Sequence, residues 1–499
     1  MRLLLGIDVG TASSKGVLTD EAGAIVASAS VPHGVETPLP GHFEQDADTV
    51  WWGDLVTLCG ELLVGIDSSD IIGMSVSAIG PCVLPLDADD RPLRPGILYG
   101  IDSRAIAECR ELESSLAARG VDVSLSSQSV APKLLWLQKH EPEVWAATRS
   151  IVGAEAYLVL RLTGERTLDT YLSGSYAPLV AADGESWLPE FGDICPVDLL
   201  PRLVWSTDVV GTITPAAAAL TGLAVGTPVI AGTADAAAEA TSAGLASPGD
   251  LMLMYGSTAF FILHCESLPG ETSFWPGHFL EPGTFALAGG TNNLGNVTAW
   301  FRDEFAPFEI AQEHHGGAPA FAALAELAAA SAPGANGLIA LPYLSGERTP
   351  IDDPLARGAI LGLTLAHTRG DVYRALLEGI AFSIRENTER MAAEGYPAAR
   401  VLAVGGGAQN ELLLQLVSDV TGLTQYVPTE TIGASLGNAL RAGVGVGLFD
   451  SLATAAATVT YARTVTPNPS LAATYDAAYA RYRRLYEATR TLAHELSAP

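Results

Sequence analysis

Apolar residues in this chain come in short runs, and glycines and small hydroxyl residues cut those runs apart. LLLGIDV at 3–9 and GVLT at 16–19 read as two strands around a glycine-bearing turn, with a third strand at 24–31. IIGMSV at 71–76 reads as a buried strand. Helices are predicted over 41–66, with Asp48 as the N-cap, and over 103–119, 132–139 and 153–162. GTPVIAG at 226–232 is a strand entering a turn, and the alanine-rich DAAAEATSAG continues it as a helix. SPGD at 247–250 marks a boundary. After it, LMLMYGSTAFFIL at 251–263 repeats the opening plan of strand, small-residue turn and strand. At 401–422 a strand runs into three glycines and a helix, with Leu412, Leu413, Leu416, Val417 and Val420 on one face. Residues 316–334 read as a helix plus a loop, and 470–497 as an amphipathic helix. Strands alternating with helices in this way predict an α/β architecture.

Length and charge narrow the picture. A chain of 499 residues exceeds one ordinary core, so two domains are expected, at 1–245 and 246–499. The formal net charge of −29 argues against nucleic acid and anionic membrane surfaces as partners. An anionic substrate therefore needs a local basic or amide-lined pocket. The five cysteines are scattered without a CxxC spacing, which disfavours a disulfide framework or a zinc site and fits a reducing cytoplasm. No secretory signature opens the sequence and no apolar run is long enough to span a bilayer, so a cytoplasmic location is expected.

Four short stretches carry candidate chemistry. In DVGTASSK, Gly10 lets the backbone approach a ligand, and the turn with Thr11, Ser13 and Ser14 offers N–H groups and hydroxyls to phosphate oxygens. Lys15, one of only three lysines in the chain, adds a point charge there, and Asp8 suits a water-mediated Mg²⁺ contact. Tyr255-Gly256-Ser257-Thr258 is a second such turn. Gly405-Gly406-Gly407-Ala408, followed by Asn410, leaves room for a flat base or ribose and is not the dinucleotide GxGxxG pattern. In Gly232-Thr233-Ala234-Asp235 the aspartate lies where a strand gives way to a helix, a position that keeps a carboxylate ionised and able to act as a general base. Each stretch also has a plain structural reading: a hairpin with a capping aspartate, two tight turns, an N-cap. His264, His314 and His315 lack metal-like partners, and Trp51, Trp52 and Trp136 read as core.

Taken in order, these stretches resemble the FGGY carbohydrate kinases of the actin-like ATPase superfamily. GHFEQDADTVWW, APKLLWLQKHEPEVW, YLVLRLTGERTLDT, GGTNNLGNVTAWFRDEF, LPYLSGERTPIDDPLARGAILGL and YRALLEGIAFSIRENTERM extend the likeness over nearly the whole chain. The second of these is very close to the xylulokinase version of the signature. The resemblance implies two ribonuclease-H-like domains flanking a deep cleft, and ATP- and Mg²⁺-dependent phosphorylation of a sugar hydroxyl. It makes Asp235 the catalytic base, Asp8 a second catalytic carboxylate, and both of them metal-linked. It assigns Gly256, Ser257 and Thr258 to a second phosphate loop and Gly405 to Asn410 to adenosine. Glu347 and Arg348 would organise the interdomain region.

The sugar-reading positions depart from the family pattern. Ala78 and Ile79 stand where a polar residue and a histidine are usual. Gly100-Ile101-Asp102-Ser103-Arg104 keeps the aspartate and arginine of Trp-Asn-Asp-x-Arg and loses the Trp and Asn, while Ala236 replaces the Asn after the base. Ala78, Ile79, Asp102, Arg104 and Asp235 are the expected substrate contacts. The expected acceptor is the primary hydroxyl of D-xylulose, giving D-xylulose 5-phosphate. Ribulose, ribitol, erythrulose and gluconate are alternatives, as is a non-catalytic nucleotide-gated binding protein. A homodimer is the assembly considered.

Overall fold

The computed structural model describes residues 1–497. The chain divides into two units. The first comprises Met1–Ala246 with Gly277–Phe285 and Ile432–Val459, and the second comprises Ser247–Pro276, Ala286–Thr431 and Thr460–Pro499. A single division at 245/246 therefore misses two returns of the chain to the first unit.

The first unit is built on a seven-stranded sheet. Its strands are β1 (Leu3–Val9), β2 (Ser13–Thr19), β3 (Ile25–Pro32), β4 (Ile71–Ala78), β5 (Val209–Thr212), β6 (Pro228–Ile230) and β7 (Thr233–Ala234). The order is β5–β6–β4–β1–β2–β3, and β7 continues the β6 side of β4. β1 and β4 run parallel, while β1 and β2 form an antiparallel hairpin. Leu3, Leu5, Ile7 and Val9 are buried with Trp51, Trp52, Leu55 and Leu58 on one face, and Leu4 and Val17 with Ala439, Leu440 and Ala442 on the other, so both faces of the sheet are covered, as the continuous apolar runs require. Each such large side chain contributes about 1.5–3 kcal/mol.

Two local expectations are corrected. The segment expected as one helix over 41–66 opens with a π-turn at Ala47–Trp52, and its α-helix, α1, spans only Gly53–Leu62. Its cap is Asp46, which accepts the Thr49 N–H at 2.8 Å. Asp48 instead accepts the Tyr157 hydroxyl at 2.6 Å, from helix α2 (Ala154–Thr163), and pairs with Arg161. β2 starts at Ser13 rather than residue 16, because the Gly10 N–H closes onto the Ser13 carbonyl at 3.1 Å and the ladder begins at once.

Helix α3 (Asp235–Ser242) follows β7 directly. The second unit has its own seven-stranded sheet, in which β8 (Asp250–Tyr255), β9 (Ala259–Cys265), β10 (Arg400–Val404), β11 (Gln425–Pro428) and β12 (Tyr461–Val465) run in the order β9–β8–β10–β11–β12. The expected echo of the opening hairpin is β8–β9, antiparallel as β1–β2 is. Helix α4 (Gly295–Phe305) starts against the β8–β9 turn, and α5 (Glu411–Thr421) follows the glycine cluster with Asn410 as its cap. Helix α6 (Ala434–Gly445) belongs to the first unit, where it packs on β1 and on α3. Two glycines permit that approach: a methyl built on Gly6 would lie 1.9 Å from the Ser435 carbonyl oxygen, and one on Gly437 would lie 1.8 Å from that of Ala238.

Among the described residues no helix is long and apolar enough to cross a membrane. All five cysteines are free and buried.

Candidate active site

Strand β4 brings the two aspartates into one neighbourhood. On one of its edges Asp8 of β1 lies in register with Ser77, and on the other Thr233 of β7 is opposite the same Ser77. Asp235 follows two residues on, as the first residue of α3. Adjacent strands lie about 4.8 Å apart, so the two backbones are separated by about 10 Å across β4. The charge of Asp235 reaches Asp8.

The charge balance of this cluster is unfavourable on its own. Burial, the Asp235 carboxylate and Glu239 all raise the Asp8 carboxyl well above the usual carboxylate range, against a hydrogen bond from Ser77 and the charge of Lys15. Burial likewise raises Asp235, whose Oδ1 accepts the Ala236 N–H at 2.7 Å. Glu239, one turn along α3, is pushed up to about 7, first by burial and then by Asp235. Asp8 and Glu239 both feel the charge of Lys15, which sits directly across the hairpin from Asp8. Hard oxygen donors with a deficit of positive charge suit Mg²⁺, which one or two carboxylates hold through water and substrate phosphates. Among the described residues no three acidic, histidine or cysteine side chains converge on a single metal position.

The turn beside Asp8 is held from below. The Nε2 of His33 lies 2.9 Å from the Gly10 carbonyl oxygen, and its Nδ1 lies 2.6 Å from Asp54 Oδ2. Gln45 Nε2 donates to the Thr11 carbonyl at 3.1 Å, and the Thr11 and Tyr99 hydroxyls meet at 3.0 Å. Thr11, Ser13 and Lys15 keep partial exposure. Ser14 does not serve as a phosphate ligand: strand alternation turns it inward, fully buried, where its hydroxyl donates to Asp54 at 2.7 Å.

Four of the five expected sugar contacts are also corrected. Ala78 and Ile79 are core residues at the end of β4, and the Ile79 N–H donates to the Val9 carbonyl. Asp102 and Arg104 saturate one another. The buried Arg104 guanidinium donates to Asp102 through Nε and Nη2 and to Glu44 through Nη1, and it lies 5.0 Å over the Trp136 ring. Asp102 also accepts the Phe43 N–H at 2.7 Å. A buried ion pair needs such partners, and both side chains are fully buried, committed to one another and to Glu44 rather than exposed to a sugar. Trp51, Trp52 and Trp136 are core, as expected. Near Asp235 the structure places two phenols, Tyr99 and Tyr171, both raised first by burial, with the charge of Asp235, and for Tyr171 that of Asp169 before it, adding to the shift. Periodicity does not single out either one.

In the second unit the two glycine turns are neighbours, because β8 and β10 pair in parallel and end together. Gly405, at φ +88°, would place a methyl 2.8 Å from the Tyr255 carbonyl oxygen, and Gly407 touches the same residue. Gly406 meets nothing within 4 Å and is exposed. The glycines at 405 and 407 therefore serve close packing of the two turns, and open space is confined to 406. Ala408 is buried, and Asn410 Oδ1 caps α5 through the Leu413 N–H. Gly256, Ser257 and Thr258 form the turn expected. The N–H groups of Gly295 and Asn296 donate to the Gly256 and Ser257 carbonyls, a support that only Gly295, the last glycine in GGTNNLGN, signals. Glu347 is buried within this unit, accepting from Thr291 and the Asn292 N–H, and Arg348 donates to Ala259 and Thr291. These bonds order a loop of the second unit. His264 is buried, and the His315 ring lies against the Ala311 carbonyl, so neither is gathered with metal-like partners among the described residues.

Behind the Gly232–Asp235 turn lies Glu155, fully buried, its carboxyl over the first N–H groups of its own helix and without a side-chain partner. Burial raises it from 4.5 to about 8. The folded state therefore holds this proton to higher pH than the unfolded chain, so stability falls as pH rises from about 4.5 to about 8. Glu155→Gln should remove that part of the pH dependence, on the order of 3 kcal/mol, as read by urea unfolding at pH 5 and pH 8.

With this geometry in place, comparisons with known proteins add the following. The model of the FGGY family of carbohydrate kinases, N-terminal domain, matches residues 3–241, and that of its C-terminal domain matches 251–446. Xylulose kinase of Lactococcus lactis subsp. lactis is 31 % identical over 99 % of this chain and 99 % of its own. Xylulose kinase of Bacillus subtilis is also 31 % identical, over 99 % and 98 %. The crystal structure of xylulose kinase from Rhodospirillum rubrum superposes with a TM-score of 0.90 at 30 % identity, covering 99 % of this chain and all of that one.

Proposed function

The chain belongs to the FGGY family of carbohydrate kinases and is an ATP-dependent sugar kinase, and from that premise we propose that it phosphorylates the primary hydroxyl of a ketopentose, D-xylulose first among them. The pairing of Asp8 and Asp235 across β4, in a cluster short of positive charge, is the observation that carries this reading. Asp235 at the head of α3 takes the proton from the acceptor hydroxyl, and that oxygen attacks the γ-phosphorus of ATP in line. Lys15 and the N–H groups of the Gly10 turn receive the phosphates. Asp8 and Asp235 would hold Mg²⁺, which supplies charge neutralisation to the triphosphate when bound. Tyr99 and Tyr171 face the acceptor in place of the polar pair that Ala78 and Ile79 replace. In the second unit, the turn at 256–258 and the open side of Gly406 are the nucleotide-facing elements, with Gly405, Gly407 and Asn410 shaping the second of them. Most of the catalysis is positioning and electrostatics. We place the protein in the cytoplasm and allow it a homodimeric assembly.

The acceptor is tested by ranking kcat/KM for D-xylulose, ribulose, ribitol, erythrulose and gluconate, with the phosphorylated carbon located by phosphorus NMR. D-xylulose at the head of the ranking, phosphorylated at O5, supports the reading. Another polyol ahead of it by tenfold or more would replace D-xylulose and keep the reaction.

The His33 clamp gives a further expectation. His33→Ala frees the Gly10 carbonyl and Asp54 together and should raise the KM for ATP about tenfold, the equivalent of one lost hydrogen bond, with the sugar KM unchanged. Steady-state kinetics with each substrate varied in turn check it.

A further inference from the structure

Helix α6 is remote in sequence from both aspartates, yet it reaches the supports of each. We propose that Arg441 and Asn438 of α6 act as a positioning brace that sets the orientation of Asp8 and ties it to the backbone leading to Asp235. The proposal rests on the kinase reading of those two carboxylates.

The hydrogen bonds run in one direction. Arg441 is fully buried and can only donate. Its Nη1 donates to Asn438 Oδ1 at 2.7 Å, which fixes the amide so that Nδ2 is the donor end. That Nδ2 donates to the Ile7 carbonyl at 2.8 Å and to Ser77 Oγ at 2.7 Å. The Ser77 hydroxyl, already accepting, turns its own hydrogen to Asp8 Oδ1 at 2.6 Å. A chain of donors that starts on a guanidinium thus ends on one named oxygen of Asp8. It leaves Oδ2 as the oxygen free for ligand. The second arm starts from Arg441 Nη2, which donates to the Ala231 and Ser206 carbonyls at 2.6 Å. Ala231 precedes the Gly232–Asp235 turn. Both Ser206 and Thr233 donate to the buried Asp169, at 2.5 Å each. One arginine therefore holds both the strand end before Asp235 and the amide that aims Asp8. The bare glycines at 6 and 437 allow α6 to lie close enough to do this.

Two readouts separate positioning from simple packing. Asn438→Asp keeps the volume and the acceptor facing Arg441 but removes the donor facing Ser77. Ser77→Ala removes the next link. Each should lower kcat 10- to 100-fold with the KM for ATP and for sugar held within about twofold, and the double variant should be no worse than the poorer single one. Ser77→Thr, which keeps the hydroxyl, should recover most of the rate. A crystal structure of the Asn438→Asp variant should show the Asp8 carboxylate turned off Ser77. Normal kcat in a folded Asn438→Asp variant, or additive losses in the double variant, would overturn the brace while leaving the kinase reading intact. A wild-type chain that turns over no polyol would overturn that reading and the brace with it.

Discussion

Adding one methyl group at Gly437 is expected to disrupt the first unit. The new carbon would sit 1.8 Å from the Ala238 carbonyl oxygen, well inside contact distance, and the obstacle is helix backbone rather than a movable side chain. Relief requires α3 and α6 to separate. That would uncover Ala238, Leu436, Ala439 and Leu440, all buried, and would pull α6 from Gly6 on its other side. Overpacking of this kind costs about 3 kcal/mol or more when backbone must move. Because α3 begins with Asp235, the same displacement moves the carboxylate proposed as the base, so Gly437→Ala should lose activity even where it folds. Thermal unfolding followed by circular dichroism checks the first part. A variant that melts with the wild type would show that the two helices part easily, contrary to the packing described.

Asp235→Asn is expected to do the reverse, sparing the fold and removing the chemistry. The amide cannot take the proton of the acceptor hydroxyl, and loss of a general base costs on the order of 10³-fold in kcat. Burial opposes the charge at 235, and that charge in turn raises Asp8 and Glu239, so a neutral side chain there relieves repulsion with both. The variant should therefore melt at or above the wild-type temperature while its sugar phosphorylation vanishes. Normal turnover in the variant, or a collapse of stability, would remove Asp235 from the role given to it.

Much of the site was readable because it breaks local rules. Asp8 interrupts a run of buried aliphatics, and Asp235 opens a helix directly after a strand. The hairpin at β1–β2, its echo at β8–β9 and the strand–glycine–helix passage at 401–422 all carry their periodicity on the surface of the sequence. What stayed hidden depends on partners far along the chain. Ser77 sits in an apolar strand and gains its meaning only from Asp8 on one side and Asn438 on the other. Asn438 and Arg441 are ordinary members of a small-residue helix until that helix is placed against β1. Asp102 and Arg104 keep a family spacing. Their burial, however, is set by Glu44 and Trp136, which no local pattern links to them. Ser14 was misplaced by strand parity: once β2 starts at Ser13, its hydroxyl must face the core. The Asp46 cap was missed because Asp48 offers the same chemistry two residues on, and only the Tyr157 hydroxyl shows where that second carboxylate is committed.

Sugar-stimulated release of ADP by the purified chain, with Mg²⁺ and ATP present, bears most directly on the central claim. That claim is that the carboxylates flanking β4 move a proton and a phosphoryl group between ATP and a polyol. The account predicts a rate with D-xylulose or a related ketose far above the rate without sugar, one sugar phosphate formed per ADP, and loss of the stimulated rate alone in Asp235→Asn. An ADP rate unmoved by every polyol offered, and equal in wild type and Asp235→Asn, would contradict it.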